Sequence, residues 1–116
     1  MNQDLKPLQA LKLWHDVTLE TVRSDHPDLS SRQMAILLSV YLTPPPHTVR
    51  GLAEKLGVSK PAITRALDTM GQKDLLKRKR DESDRRNVLV QRTVKGSVFL
   101  SELADTIVAQ TKNLRP

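Results

Sequence analysis

Apolar side chains recur at helical spacing through most of this sequence, and the elements they predict are mainly short helices. In the first predicted helix, residues 7–24, the polar side chains gather on one narrow side: Gln9, Lys12, Asp16, Glu20 and Arg23. The rest of its surface is apolar over more than one stripe, which a single domain face cannot bury. We therefore expect this helix, with Leu8, Leu11 and Trp14, to pack also against a second copy of the chain.

The second predicted helix has a clear beginning and a clear end. Ser30 followed by Gln33 fits a capping box, in which each side chain satisfies a backbone amide of the first turn. The helix is apolar nearly all round, so it should lie in the middle of the domain. Three consecutive prolines, residues 44–46, enforce its end.

Two further helices are joined by a tight turn. Residues 49–56 carry apolar side chains at i, i+3, i+4 and i+7, with Thr48 as the cap and Gly57 as the residue that closes the helix in the left-handed conformation. Ser59 then caps the next helix, residues 59–72, and we expect its hydroxyl to accept from the Ala62 amide because Pro61 has none.

The helix over residues 59–72 separates an apolar side from a polar one. Its core stripe is Ile63, Ala66, Leu67 and Met70, and its outward side chains are Pro61, Thr64, Arg65, Asp68 and Gln72. Two short helices around a glycine turn predict a helix-turn-helix, whose second helix, the recognition helix, can enter a DNA major groove. Similar patterns also occur in purely structural helical bundles.

A charged hairpin, the wing, is predicted for residues 76–92. Val88 and Val90 alternate on its second strand, and its cations are Lys77, Arg78, Lys79, Arg80, Arg85 and Arg86. Such a density of cations costs self-repulsion unless an anion is near. A helix-turn-helix followed by a basic hairpin predicts a winged helix, with the wing along phosphates or in a minor groove.

The distribution of charge supports the same interpretation. The chain has 116 residues, enough for one domain, with 19 Lys and Arg against 13 Asp and Glu. Residues 50–95 contain thirteen basic and six acidic residues, a local +7 that leaves −1 for the rest. A basic region between neutral ones indicates a polyanion-binding surface, although a solvated charged face is the plainer alternative.

Other classes of protein lack support in the sequence. There is no cysteine, no apolar run of membrane length and no export signal at the start, so we expect a cytoplasmic protein. The histidines, residues 15, 26 and 47, share no metal-ligand spacing, and no nucleotide-binding or nucleophile motif occurs. We expect no enzyme activity, no metal and no cofactor.

Three segments resemble the MarR-type winged-helix transcriptional regulators: TVRGLAEKLGVSKPAITRALDTM, DESDRR and NVLVQRTVKG, which together span residues 48–96. The resemblance implies a homodimeric, cytoplasmic DNA-binding regulator, whose effector, where there is one, is often a small aromatic acid. It implies that one set of residues approaches bases and phosphates and that an arginine of the wing tip enters the minor groove. The first set is Ser59, Lys60, Pro61, Thr64 and Arg65, and the tip is Asp84, Arg85 and Arg86.

The chain departs from the family pattern at three places. Members have a longer C-terminal helical region than the single helix predicted at residues 94–112. Arg92 stands where the returning strand usually has an apolar residue, and Glu82-Ser83 lacks a proline often found in the wing. The C-terminal helix carries Leu100, Leu103 and Ile107 on one side; by analogy this side pairs with the first helix as a dimer platform, and packing within one chain is the alternative.

The predicted fold is therefore mostly α with a small β-hairpin: one winged-helix domain over residues 1–116, with a DNA-binding lobe at 30–93 between dimerisation helices at 7–24 and 94–112. The predicted function is a transcriptional regulator that binds an inverted repeat of double-stranded DNA as a dimer. A repressor is favoured over an activator, and the position of the site relative to the promoter decides between the two. Lys60, with Lys79 and Arg80 of the basic strand, is expected to contact phosphates. The alternatives are a protein-contact adaptor and a non-specific nucleic-acid binder; single-stranded RNA is disfavoured because the basic region has no aromatic residue to stack on bases.

Overall fold

The computed structural model describes residues 4–114, which form helices and one antiparallel hairpin. The elements are α1 (Pro7–Arg23), α2 (Ser31–Leu42), α3 (Val49–Leu56), α4 (Lys60–Gln72), β1 (Leu76–Arg80), β2 (Val88–Arg92) and α5 (Val94–Thr111). They fall into two compact units, one of residues 29–98 and one of the two segments that flank it. The predicted fold class is confirmed, and each predicted element is present with ends that differ by at most a residue or two.

The central unit is built around α2, as its nearly all-round apolar sequence predicts. The capping box is present, since the Ser30 hydroxyl accepts from the Gln33 amide at 3.1 Å and the Gln33 side chain accepts from the Ser30 amide at 2.8 Å. Ile36 and Leu37 of this helix are fully buried. Most of the remaining core comes from α3, α4, the link after α4 and the hairpin: Val49, Leu52, Ile63, Leu67, Met70, Leu75, Leu76 and Val90.

A tyrosine hydroxyl ties three parts of the central unit together. The Tyr41 hydroxyl accepts from the Thr93 amide at 3.0 Å and donates to the Leu75 carbonyl at 3.2 Å. The Thr93 hydroxyl in turn donates to the Asp74 carbonyl at 2.7 Å and accepts from the Gly96 amide at 2.9 Å. The end of α2, the link from α4 to β1 and the first turn of α5 therefore meet at one polar node.

Gly96 is required at this node for reasons of space. A Cβ added there would overlap the Tyr41 hydroxyl and the Leu75 carbonyl oxygen, and the latter is backbone that cannot turn aside. We expect Gly96→Ala to lower the free energy of unfolding by at least about 1 kcal/mol, as overpacking does. Gly71→Ala is the matched control, because a Cβ there has nothing within 4 Å and α4 should gain about 0.5–1 kcal/mol. Urea unfolding of both variants measures the contrast, and equal stabilities would contradict it.

In the flanking unit, α1 buries little of its apolar surface. Val17 is buried, whereas Leu8, Leu11 and Trp14 are 80%, 65% and 70% exposed. The sequence predicted an excess of apolar surface on this helix, and that excess is open in the isolated chain. The helix begins after Lys6, whose amide donates to the Gln9 side chain at 3.0 Å.

The part of α5 in the flanking unit also has an incompletely covered apolar side. Leu100 and Leu103 are half-buried, and Ile107 is 39% exposed. Phe99 is buried, with the His26 ring packed edge-on at 5.4 Å between centroids. His26 Nε2 also lies 2.8 Å from a Glu102 carboxylate oxygen, which ties the end of the α1 segment to α5. Within residues 4–114, no helix is both long and apolar enough to cross a membrane.

Candidate nucleic-acid interface

The turn between α3 and α4 has the conformation that its residues predict. The Thr48 hydroxyl accepts from the Gly51 amide at 2.9 Å and caps α3. Gly57 has a φ of 68°, in the left-handed region, and the next amide, of Val58, donates back to the Ala53 carbonyl at 3.1 Å. Because glycine alone adopts this conformation without strain, the turn fixes the angle at which α4 leaves α3.

The start of α4 is fixed by Ser59, whose hydroxyl accepts from the Ala62 amide at 3.3 Å, as predicted. The helix turns its apolar stripe into the core, so its polar stripe faces outward. All five side chains predicted to approach DNA are exposed and lie on the first two turns or at the cap: Ser59, Lys60, Pro61, Thr64 and Arg65. The structure thus brings these five together; their contact with DNA stays a prediction.

The wing is a two-stranded antiparallel hairpin whose register pairs Leu76 with Arg92 and Arg80 with Val88. Its second strand is also held from the other side, because the Val90 amide donates to the His47 carbonyl at 2.8 Å. The predicted phosphate contacts, Lys79 and Arg80, are exposed on the first strand. The hairpin is therefore anchored to the segment that leads into α3, and its basic residues are exposed.

Asp81 organises the tip of the wing. One of its carboxylate oxygens accepts from the Ser83 hydroxyl at 2.7 Å, the Ser83 amide at 3.0 Å and the Asp84 amide at 3.4 Å. The hydroxyl bond, followed by the Ser83 amide bond, lowers the pKa of the Asp81 carboxyl. Glu82 and Ser83 thus make a turn without the proline usual in the family, because Asp81 supplies the hydrogen-bond acceptor.

The two tip arginines differ in their surroundings. Arg86 is held by Asp84, whose carboxylate accepts from its Nε at 3.0 Å, its Nη2 at 3.2 Å and its amide at 3.1 Å. The Arg86 side chain, then its amide, lowers the pKa of the Asp84 carboxyl, and the charge of Arg50 acts in the same direction. Among residues 4–114, the Arg85 guanidinium has no hydrogen-bond or ion-pair partner. Arg85 is therefore the tip cation left free for another molecule.

The lowered pKa values of Asp81 and Asp84 predict how the hydrogen bonds of the tip depend on pH. A carboxyl with a lowered folded-state pKa stabilises the fold fully above its unfolded value, here 3.8, and loses that effect as the pH falls through the lower folded value. We therefore expect the NMR amide shifts of Ser83 and Arg86 to stay constant from about pH 8 to about pH 5. They should move only below the ordinary aspartate range. A transition near neutral pH would contradict the assignment of these hydrogen bonds.

The structure adds two features that the sequence did not reveal. Arg32, in the first turn of α2, lines a groove with Arg65 of the recognition helix, so a further cation lies beside the predicted DNA contacts. Arg78 of β1 forms an ion pair with Asp68 of α4, with 2.6 Å between Nη2 and Oδ1. Arg32 could have been suspected from its place after the capping box, but only the packing of α2 against α4 brings it to Arg65.

Arg92, the departure from the family pattern, has a structural role. The second strand extends through it, and the side chain is exposed. Its Nε donates to the Val40 carbonyl at 3.0 Å, and its guanidinium carbon lies 5.6 Å from the centre of the Tyr41 ring. A cation at the C-terminal end of α2 satisfies a carbonyl that the helix leaves unpaired.

A helix-turn-helix followed by a basic hairpin on one compact lobe defines a winged-helix protein. The model of the MarR family matches residues 29–88, more than half of the chain, and the chain belongs to that family.

Solved structures with the same fold agree with this assignment. The YusO protein from Bacillus subtilis is 24% identical, with a TM-score of 0.74 over 91% of this chain and 74% of that one. S. aureus MepR in complex with DNA is 16% identical, with a TM-score of 0.76 over 91% and 84% of the two chains. The transcriptional repressor CouR, bound to a 23-mer DNA duplex, is 21% identical, with a TM-score of 0.71 over 96% and 84%. At these identities the likeness demonstrates the fold.

Proposed function

We propose that this chain is a sequence-specific double-stranded DNA-binding transcriptional regulator that acts as a repressor. The observation that carries the proposal is the shared exposure, on one lobe, of the polar start of α4 and the basic wing. Membership of the MarR family supports it, as do the DNA-bound structures of the similarly folded MepR and CouR. The protein acts by binding in the cytoplasm, without catalysis.

The recognition helix lies in the major groove and provides most of the sequence choice. Thr64 and Arg65 face outward one turn beyond the cap, where side chains of a recognition helix reach base edges. Lys60, Lys79 and Arg80 contact phosphates, and so does Arg32, which lines the same groove as Arg65. Each phosphate contact makes the affinity more sensitive to salt.

The wing places Arg85 in the adjacent minor groove. Arg86 stays bound to Asp84 and keeps the tip in shape, so Asp84 acts on DNA indirectly. A guanidinium in a minor groove is attracted most where the groove is narrow, as in A·T-rich sequence. The wing therefore adds a preference for A·T pairs on the outer flanks of the binding site.

Removing the Arg85 side chain tests this placement. We expect Arg85→Ala to reduce the slope of log affinity against log salt by about 0.9, the value for one lost contact, and to abolish the flanking A·T preference. Lys112→Ala, which removes one exposed cation outside the lobe, is the matched control and should change neither quantity. Fluorescence anisotropy over a salt series measures the slope, and the same assay on sites with A·T or G·C flanks measures the flanking preference. Equal slopes for the two variants would refute the minor-groove role.

The regulator binds as a homodimer. The incompletely covered apolar sides of α1 and α5 supply the platform, with Leu8, Leu11, Trp14, Leu100, Leu103 and Ile107. A two-fold dimer presents its recognition helices to successive major grooves about one helical turn apart, so the site is an inverted repeat. A small-molecule effector is compatible with this arrangement, and no residue is assigned to it.

The decisive experiment is retention of fragmented genomic DNA by the purified protein near physiological salt, followed by sequencing. Enrichment of one inverted-repeat motif supports the regulator, and the position of the motif relative to promoters tests repression. Uniform retention indicates a non-specific clamp, and no retention indicates a surface for another protein; either result overturns the proposal.

A further inference from the structure

An acidic side chain stands on the outward side of the recognition helix. Asp68 follows Thr64 by one helical turn, and its side chain is 55% exposed. A carboxylate that faces DNA repels phosphates and therefore weakens binding. Its presence in a strongly basic lobe indicates a separate structural role. Its only polar contact in the described residues is with Arg78, at 2.6 Å.

The position of Arg78 in β1 means that its ion pair with Asp68 connects the outer part of the wing to the recognition helix. At the base of β1, Leu75 and Leu76 are buried and anchor the strand in the core. Beyond them, the side chains of residues 77–80 are exposed. Among the described side chains of this outer part, that of Arg78 is the one that bonds to α4, through its guanidinium and the Asp68 carboxylate. The opposite strand is held separately, through the Val90 amide and the His47 carbonyl.

We propose that Asp68 and Arg78 form a latch that fixes the wing at the angle to the recognition helix needed for both to contact DNA at once. They are positioning residues, which act through Arg85 at the wing tip. The proposal rests on the DNA-binding function proposed above. In this proposal, the affinity gained by orienting the wing is larger than the affinity lost through the repulsion between Asp68 and phosphate.

The Asp68–Arg78 ion pair is expected to affect DNA affinity more than the stability of the fold. An exposed ion pair contributes little to the stability of a protein, and the buried leucines hold the base of the wing without it. A wing that is already oriented, however, does not have to be ordered when DNA binds. Loss of the latch should therefore leave the unfolding midpoint almost unchanged and weaken DNA binding.

Asp68→Asn gives a test in which the sign of the effect decides. Removing a negative charge from a DNA-facing helix should by itself tighten binding. The latch predicts the opposite: an affinity for the inverted repeat about two- to fivefold weaker, as for the loss of one exposed ion pair. Glu54→Gln is the matched control, because it neutralises an exposed carboxylate that lines a groove with Lys60 and has no ion-pair partner among residues 4–114. It should bind DNA equally or more tightly.

A double variant identifies the route of the effect. If the latch acts through the wing tip, Asp68→Asn should no longer weaken binding once Arg85 has been replaced by alanine, because the minor-groove contact is already lost. Additive effects of the two changes would mean that Asp68 does not act through the wing tip, and the latch as proposed would be refuted. Tighter binding by Asp68→Asn alone would refute it as well.

Hydrogen exchange of the free protein separates this proposal from the proposed function. The latch predicts faster amide exchange in residues 77–87 of Asp68→Asn, with unchanged exchange in α2. Unchanged exchange in the wing would overturn the latch even if the parent protein binds its operator. Faster exchange in the wing, in a protein that retains no DNA, would support the latch while the proposed function fails.

Discussion

Leu11→Asp is expected to convert the protein from a dimer to a monomer at micromolar concentration. Leu11 is 65% exposed in the single chain, between Leu8 and Trp14, which are exposed to a similar degree. A buried leucine contributes about 1.5–3 kcal/mol, and two-fold symmetry counts each substitution twice. The dimer should therefore lose about 3–6 kcal/mol, which raises its dissociation constant by about a hundredfold or more.

Sedimentation equilibrium measures this change directly. Ala109→Asp is the control: it introduces the same charge on an exposed position of α5, on the side away from Leu100 and Leu103. It should leave the dimer intact, while circular dichroism should report the same helix content for both variants. If Leu11→Asp remained a dimer, α1 would not be part of the dimer interface.

The effect on DNA binding follows from the loss of symmetry. A monomer contacts one half-site, so the second recognition helix and its wing no longer bind at the high effective concentration that a dimer provides. The affinity of Leu11→Asp for an isolated half-site should equal that of the unsubstituted protein for the same half-site. Its affinity for the full inverted repeat should fall to this half-site value.

Local chemistry explains why so much of the fold was predictable from the sequence. The caps at Ser30, Thr48 and Ser59 and the left-handed Gly57 each depend on residues at most three or four positions apart. These interactions set where α2, α3 and α4 begin and how the turn bends. The hairpin was equally readable, because a charged turn between two short β-prone segments leaves few other structures.

Interactions between distant residues were not predictable in the same way. The sequence presents the cations of the wing as equivalent, whereas packing commits Arg78 to Asp68 and Arg92 to the end of α2. Arg86 is committed by a neighbour only two residues away, so the Asp84-Arg85-Arg86 order was in principle enough to separate it from Arg85. The requirement for glycine at position 96 depends on Tyr41, more than fifty residues earlier, and had no local signal.

The candidate site shows the same division. All five predicted residues of the recognition helix are exposed together, because helical periodicity determines which side of α4 is buried. Arg32 was missed, since its place beside Arg65 depends on how two separate helices pack. Sequence alone thus indicates which residues an interface helix offers, and tertiary structure indicates which of them remain free and what surrounds them.

Arg65→Ala should weaken binding to the enriched operator by about 1–3 kcal/mol and relax the preference at one base position in each half-site. Arg65 is exposed and its side chain has no partner among residues 4–114, so its guanidinium is free to pair with the acceptors of a guanine.

Lys60→Ala is the comparison that separates base reading from attraction to charge. It also removes one cation from the exposed start of α4, but a phosphate contact carries no sequence information, so affinity should fall uniformly for all sequences. Binding-site selection on both variants gives the base preferences, and a salt series gives the number of phosphate contacts. If Arg65→Ala behaved like Lys60→Ala, Arg65 would be another phosphate ligand and Thr64 would become the main candidate for reading the sequence. A relaxed position in the Arg65→Ala motif alone would place Arg65 at that base pair and fix the orientation of α4 in the groove.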